Sequence, residues 1–182
     1  MRAIAQVIKG ISFINTVLGR ALSWLTLGIV LVCFSIVVLR YAFSISYTPL
    51  QDLYVWMNGI MFTGMAGYVF LRNGHVRVDI FYRPATLRTK AWIDLLGTIF
   101  LLGPFCFVVV NWGWSYVTRS WSIGESSLNV GGMPGLFVVK SFILVFAAVI
   151  ALQGLALALR AILVLNRQED LLPPALRYSE GG

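Results

Sequence analysis

The chain has 182 residues, of which 59% are hydrophobic and 12% charged, and it carries a formal net charge of +7. A mean hydropathy of +0.84 excludes an ordinary water-soluble domain and points to an all-α membrane protein. The basic surplus is split among three segments and follows no RNA- or DNA-binding pattern, which argues against a nucleic-acid partner.

In chain order, residues 1–19 come first: Ile4, Val7, Ile8, Ile11, Ile14 and Leu18 recur at helical spacing, with Arg2, Gln6, Lys9 and Asn15 falling mostly elsewhere. That pattern predicts an N-terminal amphipathic interfacial helix. The apolar run that follows is too long for a signal peptide and no small-residue cleavage site closes it, so the first span is expected to stay. Residues 20–165 form the membrane domain. Four stretches, 21–39, 53–71, 95–116 and 141–159, lack any ionised side chain over the ~20 residues that cross a bilayer core. Four transmembrane helices are therefore predicted, and none shows the polar outer face that a soluble helix needs. Residues 166–182 look like a flexible cytoplasmic tail.

Lys and Arg set the orientation. Eleven flank the N-terminus, the connection between the second and third spans, and the C-terminus; only Arg40, Arg119 and Lys140 fall on the other face. This places both termini and the middle connection in the cytoplasm. Asp52 and Asp94 open their spans and Arg72 and Arg160 close theirs, complementing the helix dipoles. Arg40 and Asp52 face each other across a short outer loop, either as a bridge or as two solvated end charges. Lys140 lies about six residues past Pro134, where it snorkels outward or pairs with Glu125. Pro104 is expected to kink the third span.

No acid, histidine or cation occupies the middle of any span, although an ion-coupled carrier needs such groups there. The main amides within the spans are Asn58, Asn111 and Gln153, which suit helix-to-helix or partner contacts. Gly59, Gly64, Ala66 and Gly67 allow close approach of the second span. Trp56 and the other five tryptophans lie mostly near the predicted membrane boundaries. Cys33 and Cys106 sit inside apolar spans without ligand-spaced neighbours, so packing is their reading. His75, the only histidine, stands four residues before Asp79; two ligands without a third do not make a zinc site, and no cofactor is expected.

The run Arg40-Tyr41-x-Phe43, then Leu50-Gln51-Asp52-Leu53, Gly64-x-Ala66 and Arg72-x-x-His75-Val76-Arg77-Val78-Asp79 resembles the small permease subunit, DctQ-like, of tripartite ATP-independent periplasmic (TRAP) transporters. The likeness continues through Ile93-Asp94-Leu95-Leu96-Gly97-Thr98, Trp121-x-Ile123-Gly124-Glu125-Ser126-Ser127, Gly132-Met133-Pro134 and Leu152-Gln153-Gly154. Within that family it is most similar to the mannitol/chloroaromatic branch. One departure is visible: Asp52 stands where Glu is expected, and its shorter arm weakens the case for an outer-side bridge.

The resemblance implies a non-catalytic scaffold in the bacterial inner membrane, bound to a large TRAP permease subunit that carries the substrate and sodium sites. It also implies a periplasmic substrate-binding protein docking on the outer face, with membrane lipids as further partners. The alternative reading is a stand-alone homo-oligomeric transporter or channel. Arg40, Asp52, Trp56, Gly64, Arg72, His75, Asp79, Glu125 and Lys140 are the candidate interface, lipid-anchoring or structural residues.

Overall fold

The computed structural model describes residues 1–74, 82 and 84–178. The elements are α1 (Arg2–Ser23), α2 (Leu25–Phe43), α3 (Thr48–Gly64), α4 (Ala66–Leu71), α5 (Leu87–Gly97), a π-helical segment (Thr98–Leu102), α6 (Gly103–Ser122) and α7 (Leu136–Leu165), then two 3-10 turns at Glu169–Leu171 and Pro174–Leu176. The described residues contain no strand, and one antiparallel bridge joins Ser126 to Pro134.

Three helical stretches are long and apolar enough to cross a membrane: Arg2–Phe43, Leu87–Ser122 and Leu136–Leu165, of 42, 36 and 30 residues. The predicted second span falls on α3 and α4, whose 17 and 6 residues meet at Met65. Met65 stays close to helical, with φ −83° and ψ −7°. Its N–H still donates to the Met61 carbonyl at 3.0 Å. The two pieces therefore run on as a rod ~36 Å long at ~1.5 Å per residue.

The N-terminal segment differs from the separate interfacial helix expected of it. Trp24 keeps right-handed helical angles (φ −65°, ψ −20°), so α1 continues into α2. Its buried stripe is Ala5, Ile8, Ile11, Ser12, Asn15 and Gly19, packed on α7 and α4. Val7, Phe13, Ile14 and Val17 are exposed. Small and amide side chains share the buried stripe with Ile8 and Ile11, while other large apolar side chains stay outside, as is tolerated where the surrounding medium is itself apolar. Asn15 thus belongs to the buried seam, which periodicity in hydrophobicity alone does not reveal.

Gly67 fixes how tightly α4 meets this seam. A Cβ there would lie 2.5 Å from Asn15 Oδ1 and 2.8 Å from the Val149 carbonyl oxygen, so only glycine fits. At the centre, α7 packs against α1, α3, α4, α5 and α6. One core cluster joins Ala5, Ile8, Ile11, Ala156, Leu163 and Leu172; a second joins Ala66, Cys106, Val149 and Ile150. By contrast α2 has no buried residue and lies mainly along α3.

Pro104 follows a π-helical turn, in which the Gly103 N–H donates to the Thr98 carbonyl. The wider turn accommodates a residue that lacks an N–H and crowds the preceding carbonyls. Residues 166–178, read from sequence as a loose tail, fold back on the bundle. Leu172 is 1% exposed in the cluster of Ala5, Ile8 and Leu163, and Leu171 and Leu176 pack beside it. Apolar residues spaced irregularly around two prolines supply this docking, and they carry no helical period to announce it.

Candidate functional site

The candidate residues gather at the two ends of the bundle, named outer and inner after the orientation expected from the Lys and Arg asymmetry. At the outer end, Asp52 lies in α3 just ahead of the apolar run 53–71 and is 4% exposed. Its Oδ1 accepts from Asn129 Nδ2 at 2.7 Å and its Oδ2 from the Met133 N–H at 2.9 Å. The loop it holds closes on itself: Ser127 N–H donates to the Met133 carbonyl at 3.0 Å and Gly132 N–H to the Asn129 carbonyl at 2.9 Å. A Cβ on Gly132 would lie 2.5 Å from Asp52 Oδ2 and 2.6 Å from Ser127. Glycine is what allows the carboxylate to seat against the loop backbone. The Met133 N–H, then the Ser127 hydroxyl and the Asn129 amide, hold the Asp52 carboxyl below its ordinary range, against the opposing effect of burial.

Arg40 does not share in this clamp. It is exposed and lines a small crevice with Leu39, Ser46, Tyr47 and Gln51; the ion pairs among the described residues do not include it. The shorter arm of Asp52 is thus taken up by the loop around 127–133 instead of by a bridge to Arg40. Trp56, one turn further along α3, is half-buried. It sits beneath Gly135, whose φ of +106° starts α7 and whose Cβ would lie 3.9 Å from the Trp56 ring. Gly64 faces Leu22 and Phe142 at the crossing of α3 with α1 and α7.

Beside the clamp, Lys140 Nζ lies 2.5 Å from Glu125 Oε2, with side-chain exposures of 14% and 20%. Ser120 Oγ donates to the same oxygen at 2.6 Å. The Tyr116 ring centroid is 4.1 Å from the ammonium. The bond from Lys140, with help from Ser120, lowers the Glu125 carboxyl below its usual range. Trp121 Nε1 donates to Ser141 Oγ at 2.8 Å, so the end of α6 and the start of α7 are tied twice. Lys140 therefore takes the paired arrangement and not the solvated one, because the loop after α6 returns an acid to its level.

At the inner end, Asp94 and Arg160 meet. Asp94 is expected to open its helix, but α5 begins seven residues earlier at Leu87, capped by Thr86 Oγ1 accepting from the Thr89 N–H at 3.3 Å. Asp94 thus lies two turns inside. Its Oδ2 accepts from Tyr82 Oη at 2.9 Å and Tyr178 Oη at 2.6 Å, and stands 4.0 Å from Arg160 Nη2. The Arg160 guanidinium also covers the Tyr178 ring, 4.0 Å from its centroid. Burial pushes the Tyr178 hydroxyl well above its ordinary range. Neither tyrosine nor this pairing was visible as a site in the sequence, since the partners are 12, 66 and 84 residues from Asp94.

Arg72 closes α4 with its guanidinium 5.5 Å from the Tyr68 ring centroid. Asn73 adopts φ +55°, and the Gly74 N–H donates to the Val69 carbonyl at 2.9 Å. This is the αL termination that Asn-Gly is suited to provide. His75 and Asp79 lie outside the described residues. Among the described residues no three metal-ligating side chains come together.

Between the ends, Asn15 Nδ2 donates to Gln153 Oε1 at 2.9 Å in a buried contact, whereas Asn58 and Asn111 are exposed. A groove of about 720 Å³ runs along Phe70, Leu101, Phe105 and Leu157, with Asp94 and Tyr82 at its polar end. On α7, Lys140 and Arg160 are twenty residues apart, or ~30 Å along a helix. Each cation has its acid on a different element, and no ionised side chain separates them. The arrangement ties helices to one another at both ends.

Comparison with curated proteins and with solved structures gave no match. The profile of the family described as "Tripartite ATP-independent periplasmic transporters, DctQ component" matches residues 29–164. That match covers most of the chain and takes in the outer clamp, the Glu125–Lys140 pair and the Asp94–Arg160 pair, and the protein belongs to the DctQ family of TRAP transporter components.

Proposed function

We propose that the chain is the non-catalytic scaffold of a sodium-coupled, binding-protein-dependent uptake system for organic acids, paired with a large elevator-type permease subunit in the bacterial inner membrane. The observation that carries this reading is the ~30 Å of α7 between Lys140 and Arg160 without a charge, which equals the thickness of a bilayer core. Four spans are read within it, the second formed by α3 and α4, with both termini and the Arg72-to-Thr86 connection in the cytoplasm. A chain with an uncharged interior can support a carrier but has no group with which to couple transport to an ion. The uncovered helices support a partner: α2 buries nothing, and Asn58 and Asn111 offer amides on otherwise apolar faces.

In this reading the outer loop held by Asp52 faces the periplasmic substrate-binding protein. The basic inner end, Arg72 included, faces lipid phosphates. Resemblance to the mannitol/chloroaromatic branch makes 2-oxo acids and related carboxylates the substrate class. Purification after co-expression with a large TRAP permease subunit tests the pairing, with a stable complex as the expected result. Proteoliposomes holding this chain alone should show no solute or sodium flux; flux there would instead establish a stand-alone homo-oligomeric transporter.

A further inference from the structure

The buried seam around α1 and α7 contains three side-chain polar atoms without a hydrogen-bond partner among the described residues. Ser12 Oγ and Arg160 Nε are buried and have no hydrogen-bond partner among the described residues. Ser12 is 7% exposed and Gln153 likewise 7%. Both atoms belong to residues that line one small cavity of about 20 Å³, together with Gln153, Asn73 and apolar side chains that include Ile8, Ala156 and Leu157. The third such atom, Asn15 Oδ1, lies against Gly67 and its residue is not part of that lining.

We propose that this cavity binds a single structural water molecule that joins α1 to α7 beside the inner ion pair. Four observations meet there. Leaving a buried polar atom without a partner is costly, so two such atoms on residues that line one space call for a bridging group. The space is large enough to hold one water, which needs ~10–15 Å³. Arg160 Nε can only donate, whereas the Ser12 hydroxyl donates or accepts; water accepts from the first, donates to the second and has the Gln153 amide within the same lining. The guanidinium already faces Asp94 across 4.0 Å, which offsets its charge and favours a neutral occupant over an anion. The water completes a polar path of Asn15, Gln153, water, Arg160 and Asp94, fixing the N-terminal helix to the cluster that also holds Tyr178.

The test uses the full chain in its complex with the large subunit, imaged at a resolution that shows other buried waters. Density between Ser12 Oγ and Arg160 Nε is expected; an empty space, or direct contact of the two side chains, overturns the proposal. Thermal unfolding in the same complex gives an independent reading. Ser12→Ala removes one bridging partner and is expected to lower Tm by about 2–4 °C. Ser12→Val fills the space with methyl groups and is expected to lower it further, by leaving Arg160 Nε without its bridge. A Tm at or above the parent's for Ser12→Val marks a dry space that gains from apolar filling, and overturns the proposal.

Discussion

The outer and inner ends of the bundle solve the same problem with different materials. Each must hold a carboxylate and a cation close to an apolar slab, where an unpaired charge is expensive. At the outer end Asp52 is held by a backbone N–H and short side chains, those of Met133, Asn129 and Ser127, and Glu125 by Lys140 with Ser120 on the same oxygen. At the inner end Asp94 is held by two phenols and a guanidinium from distant parts of the chain. Backbone donors fix a loop in one shape. Long side chains on a tail hold by packing as well as by charge, since Leu172 and Tyr178 bring apolar surface with them. The outer end is therefore a loop fixed in one shape, and the inner end is a latch between elements.

Removing Asp52 should separate the two ends most sharply. Asp52→Ala leaves the Met133 N–H and the Asn129 amide without their acceptor and frees the loop. Limited proteolysis of intact protein in nanodiscs should cut within 126–133 roughly tenfold faster, with no new cleavage after residue 166. Equal cutting in parent and variant would show that the loop is held by something else. Asp52→Glu is expected to loosen the loop as well, because Gly132 already touches the carboxylate and leaves no room for another methylene.

The Glu125–Lys140 pair should give the next largest effect. Breaking a desolvated pair leaves one charge uncompensated, whereas replacing both partners removes the problem. Lys140→Met is expected to lower Tm by about 5 °C or more, and adding Glu125→Leu should restore most of that loss. A double variant as unstable as the single one would mean that Ser120, Tyr116 and Lys140 matter through packing instead of charge.

Opposite extremes of pH should open the two ends. Asp52 and Glu125 have lowered folded-state values, so their contribution is complete above the ordinary carboxylate range of ~4 and is lost as pH falls through the depressed values. Tyr178 has a raised value, so its contribution is complete below the ordinary phenol value of ~10 and is lost as pH rises beyond it. Hydrogen exchange should show the loop around 126–133 opening first in acid and the tail around 169–178 first in alkali. The reverse order would contradict the assignment of the ends.

What could be read in advance follows the same division. The apolar runs and the Lys and Arg asymmetry carry period, length and sign, so the helices and the charged outer residues are legible from them. Glu125 is visible as a partner for Lys140 because one loop separates them. Asn129 is not visible as a partner for Asp52, since a carboxylate 77 positions away leaves no local trace. Arg160 and Tyr178 are hidden as partners of Asp94 for the same reason, and the tail because its apolar residues follow no period. Asn15 misleads in another way: hydrophobic periodicity ranks it outside, while packing in an apolar medium lets an amide share the buried face with Ile8 and Ile11.

The smallest effect, and the most specific to the latch, should come from Tyr178→Phe. The ring stays and continues to stack under Arg160, and only the hydroxyl bonded to Asp94 at 2.6 Å is lost. Tyr82 still serves the same carboxylate oxygen, so the charge is not left bare. The expected cost is about 1 kcal/mol, the net worth of one hydrogen bond, read as a small fall in Tm. Tyr178→Ala should cost several times more by removing the ring as well. If the two substitutions cost the same, the hydroxyl carries the latch and the ring contributes nothing. If Tyr178→Phe costs nothing, the tail is held by Leu172 and stacking alone, and the inner end would depend on packing where the outer end depends on hydrogen bonds.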